Sequence, residues 1–209
     1  MPELDNLLLY LVAALAIAVT PGPGIFYVAA RTLAGGRREG LASSLGTGIG
    51  GMAHVLAGAV GVSALVLASA QAFAVLKIAG AVYLVWLGWK TYRSAATPLD
   101  LEIASTNAAS ALREGIAVEA LNPKTALFFL AFIPQFVDPQ AGSVALQFAI
   151  LGTVSVLLNT LVDVGVAYGA ARTRDGFARN PGLIRRVRQA AGAAIACLGL
   201  ALAFARRPQ

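Results

Sequence analysis

The chain has 209 residues, 58% of them hydrophobic and 12% charged, with a mean hydropathy of +0.74. Soluble domains carry about 45–50% apolar and about 25% charged residues, so this composition excludes an ordinary water-soluble domain. The net charge of +6 and pI near 10 do not point to nucleic acid, because the basic residues fall in short segments between apolar blocks rather than on one solvated face. Membrane orientation and attraction to anionic lipid account for them.

In chain order the apolar blocks run Leu7 to Ala30, Leu41 to Ala68, Phe73 to Trp89, Ile116 to Val137, Val144 to Ala170 and Ala190 to Ala205. A membrane-crossing helix takes about 20 residues, with about 17 as the lower limit, so the expected architecture is an all-α integral membrane domain over 1–209 with six spans. Five spans with a surface-lying tail is the alternative, since the sixth block is the shortest. The first block is expected to stay as a span and not to be cleaved as a signal peptide. Its leader carries Glu3 and Asp5 where a basic segment is needed, and no A-x-A-like site follows. The sole cysteine, Cys197, and the sole histidine, His54, give no disulfide and no metal-ligand cluster.

Basic residues gather in alternate connections: Arg31, Arg37 and Arg38; Lys90, Arg93 and Arg113; and Arg172, Arg174, Arg179, Arg185, Arg186 and Arg188. These are 12 of the 16 Lys and Arg residues, and the connections near Ser69 and Asp138 carry none. The positive-inside rule then makes the basic connections cytoplasmic, including a linker over 96–112, and puts both termini outside. Arg206 and Arg207 dissent and suit the five-span alternative. Trp86, Trp89 and Tyr92 mark an interfacial belt at the cytoplasmic end of the third block.

The two halves, 1–95 and 113–209, resemble each other weakly. Thr20-Pro21-Gly22-Pro23 has a counterpart in Asn122-Pro123-Lys124, Gly46-Thr47 in Gly152-Thr153, and Gly80-Ala81-Val82 in Gly192-Ala193-Ala194. Three spans per half is an odd number, so the halves are expected to be inverted repeats, the plan of many secondary transporters.

Proline inside a span removes a helical hydrogen bond that hydrocarbon cannot replace. Pro21 and Pro123 each lie about ten residues from a basic end, hence about 15 Å deep and near the bilayer centre. Thr20 and Asn122 read as N-caps with Pro at the first helical position, so each span is expected to be two half-helices whose second halves start near the midplane. Their amide ends suit an anion, and a carboxylate is the natural ligand. Lys124 follows the second break, and a lysine at that depth needs protein, water or a partner; Asp163 and Glu119 are the candidates. The expected substrate contacts are therefore Thr20, Pro21, Gly22, Gly24, Asn122, Pro123, Lys124 and Asp163, and the proton-coupling candidates are Asp163, His54 and Glu119. A structural ion pair between Lys124 and Asp163 is the plainer alternative. Asn159 and Gln147 are further candidates for lining a cavity. Gly46, Gly50, Gly51, Gly58 and Gly61 read as a close-packing face inside the chain in preference to a homodimer interface, and Lys77 as a residue that snorkels to the interface.

At these residues the chain resembles the LysE/RhtB family of amino-acid exporters. The marks are Thr20-Pro21-Gly22-Pro23, the glycine-rich second block after Gly36-Arg37-Arg38-Glu39-Gly40, the run from Lys77 to Gly88, Leu121-Asn122-Pro123-Lys124, and Phe132-Ile133-Pro134-Gln135-Phe136. The resemblance implies export of an amino acid or close derivative across the bacterial inner membrane, driven by proton antiport, with six helices and no cofactor. Glu119 departs from the family pattern, which more often has a neutral residue there, and puts the charge preference of the substrate in doubt. An intramembrane enzyme would need a nucleophile with a base, or a metal cluster, and neither pattern is present. A purely structural bundle has no use for two matched breaks and buried charge, and a channel would need pore-lining rings from an oligomer.

Overall fold

Apolar residues Leu4–Val19 form α1, which stops at a break over 20–22; Pro23 then opens α2, Pro23–Ala68, at the first helical position where its missing N–H costs nothing. The structure is a computed structural model that describes residues 4–68, 70–96, 105–172 and 181–204. Glu3, Ser69, Arg174, Arg179, Arg206, Arg207 and residues 97–104 of the linker lie outside the described residues. No strand occurs among the described residues.

The basic segment at Arg31–Arg38 is expected to be a loop but is helical on both sides of a single residue. Gly36 sits at φ 76°, ψ −173°, a backbone region essentially reserved for glycine. There α2 folds back on itself: Gly40 packs on Thr32, and the Thr47 methyl lies 3.8 Å from where a Gly24 Cβ would stand. Each pair is nearly symmetric about residue 36, which requires two antiparallel arms, 23–35 and 37–68. The first and second expected spans are thus joined by one residue.

The second arm of α2 is the centre of the packing. It runs beside α4, Ala108–Ala120, in the same direction, with Gly46 against Leu112 and Gly50 against Ile116. It runs opposite to α6, Val144–Arg172, with Gly48 against Thr160, Gly51 against Val156 and Gly58 against Phe148. Gly46 and Gly50 meet backbone carbonyls, so a side chain at either position would push two helices apart. Gly61 faces open space and takes no part. The glycines therefore serve two internal contacts rather than one face. α3, Ala70–Arg93, pairs antiparallel with α7, Pro181–Phe204, through Gly88, Gly192 and Gly199.

The fourth expected span is α4 followed, after Leu121 and Asn122, by α5, Pro123–Leu127, a π-helical stretch over Phe128–Phe132 and a 3₁₀ turn over Ile133–Phe136. The wide and then tight winding stands where Pro134 interrupts the hydrogen-bond ladder. Phe128, Phe129, Phe132 and Phe148 fill the core beside this stretch, and Tyr10 donates a hydrogen bond from its hydroxyl to the Leu151 carbonyl at 2.6 Å, tying α1 to α6. The outer surface is apolar: Leu56, Val60, Leu146, Leu157 and Leu161 are all exposed, as lipid solvation requires.

Among the described residues, by length and composition, α6 alone suffices to cross a membrane. Leu7–Val19 with Pro23–Gly61, bent by 46°, and Ala108–Ala120 with Pro123–Phe136, bent by 42°, suffice as broken pairs. That gives one span, or three with each pair counted once, against the six expected. Part of the difference is the fold-back at Gly36, which makes Pro23–Gly61 two antiparallel arms instead of one rod.

Candidate functional site

The two breaks face each other, but they are built differently. At the second, Asn122 is the N-cap and Pro123 the first helical residue, as the sequence indicates; the Asn122 side chain accepts from the Lys124 N–H at 3.0 Å. At the first, the expected cap is displaced. Thr20 donates its hydroxyl back to the Ala16 carbonyl at 2.6 Å and so finishes α1. Pro21 lies in the break, and Gly22 takes the cap position, its carbonyl accepting from the Phe26 N–H at 3.0 Å. Pro23, two residues later than expected, starts the new helix. The Thr20-Pro21 pair misled because Thr and Pro suit a helix start equally well one proline earlier.

Lys124 crosses from the second break to the first. Its buried ammonium donates to the Ile17 carbonyl at 3.1 Å and the Thr20 carbonyl at 2.9 Å, two acceptors at the C-terminal end of α1, of which Ile17 also accepts from the Thr20 N–H at 3.2 Å. A cation belongs at this negative end of a helix. Among the described residues no ion pair joins Lys124 to Asp163 or Glu119, so the structural ion pair considered from sequence is not how this lysine is held. Gly22 makes the crossing feasible, since a Cβ there would lie 3.2 Å from the Lys124 Cε and Nζ.

Glu119, buried in the last turn of α4, accepts from the Asn122 side-chain amide at 2.9 Å and the Thr125 hydroxyl at 2.6 Å. Gly24 faces its carboxylate, and a Cβ at that position would come within 2.7 Å of it. His54, on the second arm of α2, places Nε2 at 2.9 Å from the Glu119 carbonyl, where α4 ends. At the end of each first half-helix a carbonyl thus receives a nitrogen from another part of the chain, Lys124 at α1 and His54 at α4, where Ile17 and Glu119 also accept backbone N–H groups of the break.

Asp163, fully buried on α6, accepts from the Thr47 hydroxyl at 2.7 Å and from the Asn159 amide at 3.4 Å, both through Oδ2. Its Oδ1 is buried with no hydrogen-bond partner. Such an orphan carboxylate oxygen is costly and calls for an explanation. Beside it lies a cavity of about 20 Å³ whose walls include Thr47, Glu119, Lys124, Thr125, Ser155 and Asn159. Asp163 stands one layer behind the wall, reached through Thr47 and Asn159. That volume holds about one water, so nothing larger enters unless the helices part. Gln147, a candidate for such a wall, instead clasps the Asp138 N–H and carbonyl at the far end of α6.

One cluster escaped the sequence reading. Arg31, counted there as a loop charge, is buried and pairs with Glu114 on α4 and, at 3.9 Å, with Glu39 on the second arm; the Tyr27 and Thr106 hydroxyls also accept from it. Its partners are up to 83 residues distant, and no local pattern brings them together. Among the described residues no group of three or more His, Cys, Asp or Glu could hold a metal.

The chain is 33% identical over 201 residues to an uncharacterized membrane protein of Vibrio cholerae, covering 95% of this chain and 97% of that one. It is 33% identical over 199 residues to a homoserine/homoserine lactone efflux protein of Salmonella typhimurium, covering 94% and 95%. A leucine efflux protein of Klebsiella pneumoniae is 33% identical over 172 residues, 81% of each chain. No solved structure matches. The model of the LysE type translocator family matches residues 15–206. An all-helical, lipid-solvated chain with two facing helix breaks, matched along nearly its whole length, belongs to the LysE type translocator family.

Proposed function

We propose that this protein is a secondary exporter of amino acids or close derivatives across the bacterial inner membrane, coupled to protons and working by alternating access. The observation that carries the reading is the small cavity between the two broken spans, largely apolar but with Lys124 and Glu119 in its wall and the Asp163 orphan oxygen behind it. These are the groups a zwitterion needs: a cation for its carboxylate, and carboxylates for its ammonium. In the closed form Lys124 is occupied by α1 carbonyls, so carboxylate binding would exchange those two bonds for one charge-assisted contact and loosen α1 from the second break. Binding and opening would be linked by the same side chain.

Six spans in two inverted halves fit this reading, and the antiparallel course of the first α2 arm and α4 supports the inversion. Tyr27 donates to the Ala111 carbonyl at 2.9 Å, while Gly24 faces Glu119. Both termini would lie outside. Asp163 is the favoured proton carrier, with Glu119 and His54, whose Nε2 lies 2.9 Å from the Glu119 carbonyl, as the other coupling candidates.

The experiment is transport in vesicles containing the purified protein, loaded in turn with leucine, homoserine and a basic amino acid under an imposed pH gradient. Efflux of at least one of them, faster with the gradient and abolished when it is dissipated, is the expected outcome. Efflux of none, or efflux indifferent to pH, would refute the substrate class or the coupling respectively.

A further inference from the structure

The fold-back at Gly36 leaves a recess of about 350 Å³ between α2 and the end of α6, lined by Thr32, Gly36, Arg37, Tyr168, Ala171 and Arg172. It is separate from the cavity at the breaks and shares no residue with it. We infer that this recess binds the phosphate headgroup of an anionic phospholipid, with its acyl chains running down the exposed face of α6.

Two guanidinium groups face the recess and no carboxylate lines it. Its nearest acidic neighbour in sequence, Glu39, lies within 4 Å of Arg31, and no ion pair engages Arg37 or Arg172 among the described residues. Among the described residues the site is therefore electropositive without internal compensation, and guanidinium is the side chain best matched to phosphate oxygens. Arg37 is held in place, its Cζ 5.4 Å from the centre of the Tyr168 ring, which lowers the entropy lost on binding. The Thr32 hydroxyl is already donated to the Val28 carbonyl, leaving the two arginines as the recognition groups.

The surroundings identify a lipid as the source of the phosphate. Tyr168 begins a stripe of exposed residues on one face of α6, continuing through Leu161, Leu157, Ile150 and Leu146. Successive steps of seven, four, seven and four residues keep that face in register along the helix. A matching stripe of Leu45, Ile49, Leu56 and Val60 runs down the neighbouring arm of α2, starting eight residues after Arg37. A headgroup seated at Arg37 and Arg172 thus has two apolar tracks leading from it into the bilayer. Basic recesses between helices on the face that carries the positive segments suit anionic headgroups.

The test uses the full chain in neutral detergent with phosphatidylglycerol, phosphatidylcholine or inorganic phosphate added separately. Native mass spectrometry measures retained lipid, and a thermal scan measures the midpoint. Phosphatidylglycerol should be retained and should raise the midpoint, and the other two should do neither. An Arg37→Gln, Arg172→Gln double variant should bind phosphatidylglycerol roughly 30-fold more weakly, at about five-fold per arginine beside an anionic group. Should it fail to fold, Arg172→Gln alone, at the exposed end of α6, should show the five-fold loss. Unchanged phosphatidylglycerol binding in the folded variant overturns the site. An equal shift from inorganic phosphate overturns the lipid as its ligand, and an equal shift from phosphatidylcholine overturns the role of charge.

Discussion

Replacing Asp163 by Asn is expected to stop transport, by at least about 100-fold, while leaving the fold intact. Asn has the same shape, can accept from Thr47 through its Oδ1, and puts an amide where the unpartnered Oδ1 now stands. The exchange removes a buried charge whose hydrogen bonds are incomplete, and a neutral isostere in such a place is often neutral or stabilising. A thermal midpoint at or above that of the wild type is thus the expected accompaniment. If the carboxylate were structural the two readouts would reverse, with stability falling and transport following only in proportion to the folded protein. Asp163→Asn that exports at the wild-type rate would remove Asp163 from the mechanism.

Lys124→Met is the second large effect, and it should strike stability and transport together. Methionine fills much of the lysine stem but leaves the Thr20 carbonyl without its donor, while the Ile17 carbonyl keeps the Thr20 N–H. A buried acceptor left unsatisfied costs about 1–3 kcal/mol. Part of this is offset because an ammonium is no longer held out of water. A net loss of about 2 kcal/mol, read from thermal or denaturant unfolding in detergent, is expected alongside transport at background. Lys124→Arg should not rescue either property, since the lysine already lies against Gly22 and a planar guanidinium has no room there. Full activity in Lys124→Arg would mean that charge alone matters, and the bridge between the breaks would lose its role.

How far the sequence discloses this arrangement depends on the range of the interactions. Asn122-Pro123 is legible because a cap and its proline are adjacent, and the structure places both where that chemistry requires. The first break is legible as a break, but Thr20, Pro21, Gly22 and Pro23 offer two registers, and only the bonds from Thr20 back to Ala16 and from Phe26 to Gly22 show which is used. Gly36 is hidden in a charged segment that looks like a loop; the glycine makes a one-residue reversal, so the polar stretch is helical on either side. Lys124 and Asp163 stand out as charges in apolar blocks. Their partners do not, because a backbone carbonyl has no sequence signature and Thr47 is one hydroxyl among many. The Arg31, Glu39 and Glu114 cluster is hidden for the same reason, as it joins the two arms of α2 to Glu114 on α4, 83 residues further along the chain than Arg31.

The most direct test of the central claim, that the substrate site lies between the two breaks, is protection of a cysteine placed in the cavity wall. Ser155 is buried there, and Ser155→Cys in a Cys197→Ser background changes one oxygen for sulfur. With maleimide applied to vesicles, the cavity of about 20 Å³ admits reagent only when it opens. A transported amino acid should slow labelling in a saturable way, while Leu157→Cys, on the lipid-facing side of the same helix, should show no such dependence. A labelling rate at Ser155→Cys that is indifferent to any amino acid the vesicles export would place the substrate elsewhere and contradict the account.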